Sequence, residues 1–209
     1  MSAHQATAAF AAVAKRILAA PKKPLTQEQK SILDKIIRVD QAGELGANYI
    51  YAGQHFVFKR KSPALEPVIK HMWDQEILHH NTFNDIQVKN RVRPSLFTPL
   101  WRAAAFGVGL STALISTQAA MACTEAVETV IGGHYNSQLR WLLTNFPEEI
   151  EQASELGFFK HLIKQFRDDE LEHLDTAIQH DAHKAVPYIF LTETIKAGCR
   201  AAIWTAERF

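Results

Sequence analysis

With 209 residues, 47% of them apolar, the chain has the size and composition of a single domain with a sizeable core. Its 23 basic residues balance 22 acidic ones, which excludes the basic field that nucleic acid attracts, so nucleic acid is not expected as a partner. Two cysteines, Cys123 and Cys199, are too few for a disulfide framework and fit a reducing compartment.

The first acidic residue is Glu28. Before it, "MSAHQATAAFAAVAKRILAAPKKPLTQ" is alanine-rich and carries Lys15, Arg16, Lys22 and Lys23, the composition of an organellar presequence and equally of a disordered arm. Residues 1–25 are therefore set apart from a single domain over 26–209. Thr26 and Gln29 form a capping-box pattern, after which Leu33, Ile36, Ile37, Asp40, Glu44, Ala47 and Tyr51 recur at three- and four-residue steps. The spacing predicts a first helix to about Lys59. Ser62-Pro63 restarts the chain, and Ile69, Met72, Glu76, His79, Phe83 and Ile86 predict a second helix that ends before Pro94.

Residues 96–117, "LFTPLWRAAAFGVGLSTALIST", contain one charge, Arg102. The run is long enough to cross a bilayer, but Pro99, Gly107, Gly109 and several hydroxyls make it a poor span. It reads as a helix lying on one leaflet, with Leu96, Phe97, Leu100, Trp101, Phe106 and Leu110 as its apolar surface. The competing reading is a buried crossover helix. A third long stripe follows in Met121, Val127, Glu128, Ile131, Tyr135, Leu139 and Leu142, stopping near "TNFPEE", where Pro147 opens the next helix. Leu162, Phe166, Glu170, His173 and Ala177 make the fourth, and a shorter helix follows Pro187. Almost nothing alternates with period two. The class is all-α, with four long helices and two shorter apolar ones.

Glu76 and His79 in "WDQEILHHN" stand three residues apart, on one helix face with Cβ atoms roughly 5–6 Å apart, close enough to share a cation. One Glu-x-x-His proves little, but "RDDELEHLD" repeats it with Glu170 and His173, and both pairs fall on apolar stripes, where charge is costly unless something pairs with it. The other two long helices each bury one glutamate, Glu44 and Glu128. Aligning these superposes Ala42 with Ala126, Tyr51 with Tyr135 and Gln54 with Gln138, so the chain reads as two copies of a helix pair. The copies differ in length: Glu44 to Glu76 is 32 residues and Glu128 to Glu170 is 42. Four carboxylates and two imidazoles in this order match a ferritin-like four-helix bundle with a two-metal carboxylate centre. Oxygen ligands with imidazole and no thiolate favour iron or manganese. Structural salt bridging is the bland alternative.

The segments "RVDQAGELGANYIYAGQ", "MWDQEILHHNTFN", "RVRPSLFTPLW", "MACTEAVETVIGGHYN", "QFRDDELEHLD" and "GCRAAIWTAER" resemble the demethoxyubiquinone hydroxylases of coenzyme Q biosynthesis, closest to mitochondrial, fungal-type members, over essentially residues 30–209. The resemblance implies a di-iron monooxygenase that hydroxylates the ring of demethoxyubiquinol to demethylubiquinol with O2. It implies two Fe ions on Glu44, Glu76, His79, Glu128, Glu170 and His173, with the first three mainly on one iron, the last three on the other, and some glutamates bridging. It further implies NADH as electron donor and a peripheral place on the matrix side of the mitochondrial inner membrane. Its partners would be a polyprenyl benzoquinol, membrane lipid, a lipid-binding accessory protein and other members of the coenzyme Q biosynthetic complex. The rival enzyme class is a ferritin-like or rubrerythrin-like iron oxidase or peroxidase, and the rival non-enzyme class a structural helical bundle.

Further residues follow from position. Tyr51 and Tyr135 lie two turns after Glu44 and Glu128, on the ligand side; Tyr135 either bonds near an iron or passes an electron, and an ordinary core tyrosine is the competing reading for both. Asp169 is placed to accept the free N–H of His79, unless it is solvated, and its counterpart before Glu76 is Gln75, so the two irons are expected to be supported unequally. His80, His134, His161, His180 and His183 have no repeat partner at a ligand position. On the C-terminal helix Arg200, Trp204 and Arg208 recur at four-residue steps, with Lys35 as a third positive charge if the helices meet. Two guanidiniums flanking an indole suit NADH, and equally suit lipid phosphates at a headgroup layer.

Overall fold

A computed structural model describes residues 25–146 and 155–209. The presequence reading of the N-terminal arm and the helix start at Pro147 lie outside them. Among the described residues there are six α-helices and no strand: α1 (Gln27–Lys61), α2 (Glu66–Asn90), α3 (Thr98–Ile115), α4 (Thr117–Asn145), α5 (Glu155–Gln179) and α6 (Tyr188–Ala206), with a short 3-10 turn at Ala182–Lys184 before α6. The chain is all-α and ferritin-like, its four long helices being α1, α2, α4 and α5.

Local chemistry sets the helix ends. The Thr26 hydroxyl accepts the Gln29 N–H at 3.2 Å and the Gln29 side chain accepts the Thr26 N–H at 2.9 Å, which satisfies two donors at the start of α1. Lys59, Arg60 and Lys61 close its last turn, where cations meet the negative end of the helix dipole. α2 stops at Arg91, in the left-handed region at φ 54°, three residues before Pro94. Ser116 is shared by two helices: its extended backbone ends α3, and its hydroxyl accepts the Ala119 N–H at 2.9 Å to cap α4. That break separates the apolar 96–117 run from α4, and no described helix is long and apolar enough to cross a membrane.

α1 packs on α2 and α4 on α5, forming the two helix pairs of the repeat. Two large apolar clusters result, beside two smaller ones. One of the large clusters gathers Leu33, Ile37, Phe83, Leu142, Leu162 and Phe166, and the other Tyr51, Phe58, Ile69, Met72, Met121 and Ala177. α3 lies along α1, and α6 packs on α4 and on the early part of α1. Arg38 of α1 donates to the carbonyls of Ala206 at 3.0 Å and Glu207 at 3.2 Å, a cation at the C-terminal end of α6.

α3 is neither a span nor a buried crossover. It buries Gly109, Thr112 and Ala113 against the bundle, while Leu100, Leu114 and Ile115 are exposed along with Leu96 and Phe97 just before it. Trp101, Phe106 and Leu110 are only half-buried. The buried face works because α1 and α3 touch backbone to backbone: a Cβ at Gly109 would overlap the Ile50 carbonyl, and one at Gly53 would lie 2.5 Å from the Phe106 carbonyl oxygen. Gly109→Ala should therefore destabilise by about 1–3 kcal/mol, the usual range for overpacking. Gly107→Ala, where an added Cβ meets nothing within 4 Å, should be neutral or stabilising. Chemical denaturation of the two variants checks the contrast.

Candidate metal centre

The four long helices bring all six sequence-predicted residues to one place between the two apolar clusters. Glu44 comes from α1, Glu76 and His79 from α2, Glu128 from α4, and Glu170 and His173 from α5, each at most 1% exposed. Their ligand atoms fall into two groups, each with all atoms within 4.8 Å of one another: Glu44, Glu76, His79 and Glu170, and Glu76, Glu128, Glu170 and His173. Glu76 and Glu170 belong to both. Nδ1 of His79 lies 3.4 Å from Glu44 and 3.3 Å from Glu170, and Nδ1 of His173 lies 3.2 Å from both Glu76 and Glu170. Among the described residues these carboxylates have no ionic partner other than the two imidazoles.

The groups behind the cluster set its geometry. His79 Nε2 faces Asp169 at 3.0 Å, and His173 Nε2 faces Gln75 at 3.0 Å. An oxygen acceptor holds the proton on each Nε2 and leaves each Nδ1 lone pair facing the carboxylates. One histidine is backed by a charge and the other by a neutral amide. The tyrosines are wired across the repeat: Tyr51 donates to Glu128 at 2.7 Å, and Tyr135 donates to Glu44. Each braces the single glutamate of the other copy, which periodicity within one helix does not reveal.

Electrostatics follow from burial. Desolvation pushes the carboxyls of Glu44, Glu76 and Glu128 up from the usual range, Glu76 and Glu128 well above it, and repulsion from Glu170 adds to this. Burial also opposes ionisation of Glu170, but the imidazoles of His173 and His79, 3.2 and 3.3 Å away, outweigh it and hold that carboxyl well below its usual value. For His79 and His173 desolvation disfavours the charge, yet the carboxylates facing them, Asp169 and Glu170 for His79 and Glu170 for His173, raise both.

The donor set fits two hard cations. Glu44 Oε2, both oxygens of Glu76 and Glu170, Glu128 Oε2, and Nδ1 of both histidines are buried without a hydrogen-bond partner. Orphaned groups of this kind cost a fold heavily unless something occupies the space among them. Beside the cluster a cavity of about 360 Å³ opens between α1, α3, α4 and α6. Its wall is almost wholly apolar, and Glu44 and Tyr135 form part of it.

Residues 31–206 match the family described as ubiquinone biosynthesis protein COQ7. The chain belongs to the COQ7 family. Among its relatives, the 5-demethoxyubiquinone hydroxylase of Saccharomyces cerevisiae mitochondria is 63% identical over 195 residues, 90% of this chain and 84% of the relative. The mitochondrial NADPH-dependent 3-demethoxyubiquinone 3-hydroxylase of mouse is 50% identical over 180 residues, 86% of this chain and 79% of the relative. The 3-demethoxyubiquinol 3-hydroxylase of Rhodospirillum rubrum is 43% identical over 178 residues, 85% and 79% of the two chains.

In this COQ7-family chain the remaining predicted residues gather at the end of α6. Lys35 reaches Glu207 at 3.5 Å, the Arg208 guanidinium lies 4.2 Å from the centre of the Trp204 ring, and Arg200 is exposed. Helices α1 and α6 do meet, but Lys35 meets an acid there. The metal centre carries its own prediction. Because burial keeps Glu44, Glu76 and Glu128 protonated to higher pH than free carboxyls, metal uptake must expel protons, and affinity must fall as pH falls. Anaerobic Fe(II) or Mn(II) titration by calorimetry in two buffers of different ionisation enthalpy should show that release. Glu170→Ala, which strikes both groups, should lose both ions, and Glu44→Ala should lose one.

Proposed function

We propose that this chain is a di-iron monooxygenase that hydroxylates the ring of demethoxyubiquinol to demethylubiquinol, with residues 26–209 acting as one domain. The reading rests on one observation above the others: an almost wholly apolar cavity whose wall includes Glu44 and Tyr135, at the edge of the buried carboxylate–imidazole cluster. A polyprenyl quinol needs such a wall, whereas an iron-storage or peroxidase site has no use for it. The relatives, named as hydroxylases of demethoxyubiquinone or demethoxyubiquinol, supply the substrate.

The residues divide the work. Glu44, Glu76, His79, Glu128, Glu170 and His173 would hold two ions, Glu76 and Glu170 belonging to both groups of ligand atoms. Two iron ions there would supply the reduction of dioxygen, one atom going to the ring and the other leaving as water, with two electrons and two protons consumed. Tyr51 and Tyr135 hold Glu128 and Glu44 in place, and Asp169 and Gln75 fix the two imidazoles. The apolar clusters on either side exclude water from the cluster.

The open faces suit a membrane surface. Leu96, Leu100, Leu114 and Ile115 near α3, and Val186, Ile189 and Phe190 near α6, are exposed around the cavity-forming helices. We place the protein peripherally on the matrix side of the mitochondrial inner membrane, as the mitochondrial relatives suggest, with its substrate entering from lipid. A lipid-binding accessory protein and other members of the coenzyme Q biosynthetic complex are the partners for the same faces. Electrons come from a nicotinamide nucleotide. The sequence reading gives NADH, but the mouse relative is named for NADPH, and Lys35, Arg200, Trp204 and Arg208 are the candidate contacts for either.

Glu128→Ala and Glu170→Ala should abolish hydroxylation and cause demethoxyubiquinone to accumulate in cells that depend on this chain, as lipid extraction and chromatography would report. Coenzyme Q at normal levels in such cells would refute the assignment. For the electron route, an Arg200→Ala/Arg208→Ala variant should lose turnover driven by NADH or NADPH while keeping turnover driven by dithionite. Both rates unchanged, together with weaker binding to liposomes, would make the stripe a membrane anchor instead.

A further inference from the structure

The cavity wall holds a second set of polar groups, buried or half-buried, that the reaction described above leaves unused. Asp40 lies on α1 one turn before Glu44, and His134 lies on α4 beside Tyr135; both line the cavity. Asp40 is 3% exposed. Its Oδ1 accepts from Gln138 Nε2 at 2.6 Å, and that same nitrogen stands 2.8 Å from His134 Nε2. One amide thus serves both side chains with its two hydrogens, and His134 receives its share on Nε2. Asp40 Oδ2 has no partner, and neither has Gln138 Oε1.

An unpaired carboxyl oxygen in an apolar wall is costly, and the repeat argues that the scaffold does not require it. In the other copy Gln54 takes the place of Gln138, and Thr124 the place of Asp40. Gln54 Nε2 is 3.3 Å from the Thr124 hydroxyl and 3.1 Å from the Ala120 carbonyl. A neutral hydroxyl suffices to anchor the glutamine there. The counterpart of His134 is Ile50, with no polar group at all. Thr124 does not line the cavity, whereas Asp40 does. Asp40 from the first copy and His134 from the second thus meet at the cavity wall, and neither has a titratable counterpart at the equivalent position of the other copy.

The proposed substrate has two para oxygens on an otherwise apolar ring. Resting on that reading, we propose that Asp40, oriented by Gln138 and flanked by His134, hydrogen-bonds one ring oxygen and so sets which edge of the ring is turned toward Glu44 and Tyr135. A carboxyl suits both redox states of the ring: protonated it donates to a quinone carbonyl, and ionised it accepts from a quinol hydroxyl. Burial pushes the Asp40 carboxyl up, which favours the donor form. His134 offers a second polar contact in the same wall.

The experiment uses the full iron-loaded chain under anaerobic conditions and two probes: a short-chain demethoxybenzoquinone, and the same isoprenyl side chain on a benzene ring without oxygens. The quantity read is the affinity ratio between them. The wild type should favour the oxygenated ring, and Asp40→Leu should cut that preference about tenfold, the size of one lost buried hydrogen bond, while leaving the benzene probe unaltered. Asp40→Asn, which keeps the shape and the hydrogen bonding, should retain most of it. A preference unchanged in Asp40→Leu overturns the assignment, as does an equal loss for both probes, which would mark Asp40 as structural. Should Asp40→Leu not fold, Gln138→Met decides, because it removes the donor that orients Asp40; an unchanged ratio there overturns the assignment as well. A wild type that binds the quinone probe without preference overturns the role of Asp40 alone. A wild type that binds neither probe overturns the proposed function with it.

Discussion

Four carboxylates and two imidazoles lie in the dry centre of a helical bundle with no lysine or arginine to answer them among the described residues. That unpaired charge is the condition the rest of the structure accommodates. Alone, each buried carboxylate would be expelled or protonated, since desolvation of an isolated charge far exceeds what one hydrogen bond returns. The bundle meets the condition with a second layer: two tyrosines, an aspartate and a glutamine each occupy one atom of the cluster, leaving the remaining oxygens and Nδ1 atoms free. The apolar clusters on either side then keep water from satisfying them.

The two-copy architecture makes this possible with little sequence. One helix pair contributes a lone glutamate and a Glu-x-x-His, and its copy contributes the same from the opposite side. The cross-repeat bonds from Tyr51 to Glu128 and from Tyr135 to Glu44 tie the pairs together at the cluster itself. Where the copies diverge, the divergence falls on the surroundings. Asp169 stands where the other copy has Gln75, and Asp40 where it has Thr124, so two nearly equivalent groups of ligand atoms receive unequal fields and unequal walls. Of the six cluster residues only Glu44 lines the cavity, which makes the centre directional.

Much of this was legible in the chain. Charges recurring on apolar stripes at Glu44, Glu76, His79, Glu128, Glu170 and His173 required a common partner, and helical periodicity alone brings them to one level. The pairing of Asp169 with His79 was also readable, because a residue next to a ligand faces the neighbouring helix. The cavity was not. It exists because small residues such as Gly46, Ala105, Gly198 and Ala202 come from separate helices whose relative placement no single stripe encodes. The interlocking of Gly53 with Gly109 was hidden for the same reason: in sequence Gly109 reads only as an interruption of an apolar run, and Gly53 gives no signal. Arg38 gave no signal that its guanidinium would close the end of a helix 168 residues away.

Ser116 ends one helix and starts the next with no residue between them. The half-exposed α3 and the α4 that carries Glu128 therefore share a joint without slack. Each residue inserted or deleted between Ser116 and Glu128 would rotate Glu128 about 100° around the α4 axis relative to that joint. Length in this stretch is thus as strictly fixed as the identity of a ligand. Between the two members of the second helix pair it is not, as the ten extra residues separating Glu128 from Glu170 attest. Variation in chain length among descendants of such a sequence belongs in the α4–α5 connection, and a gain or loss of one residue just after Ser116 would be as damaging as the loss of a carboxylate.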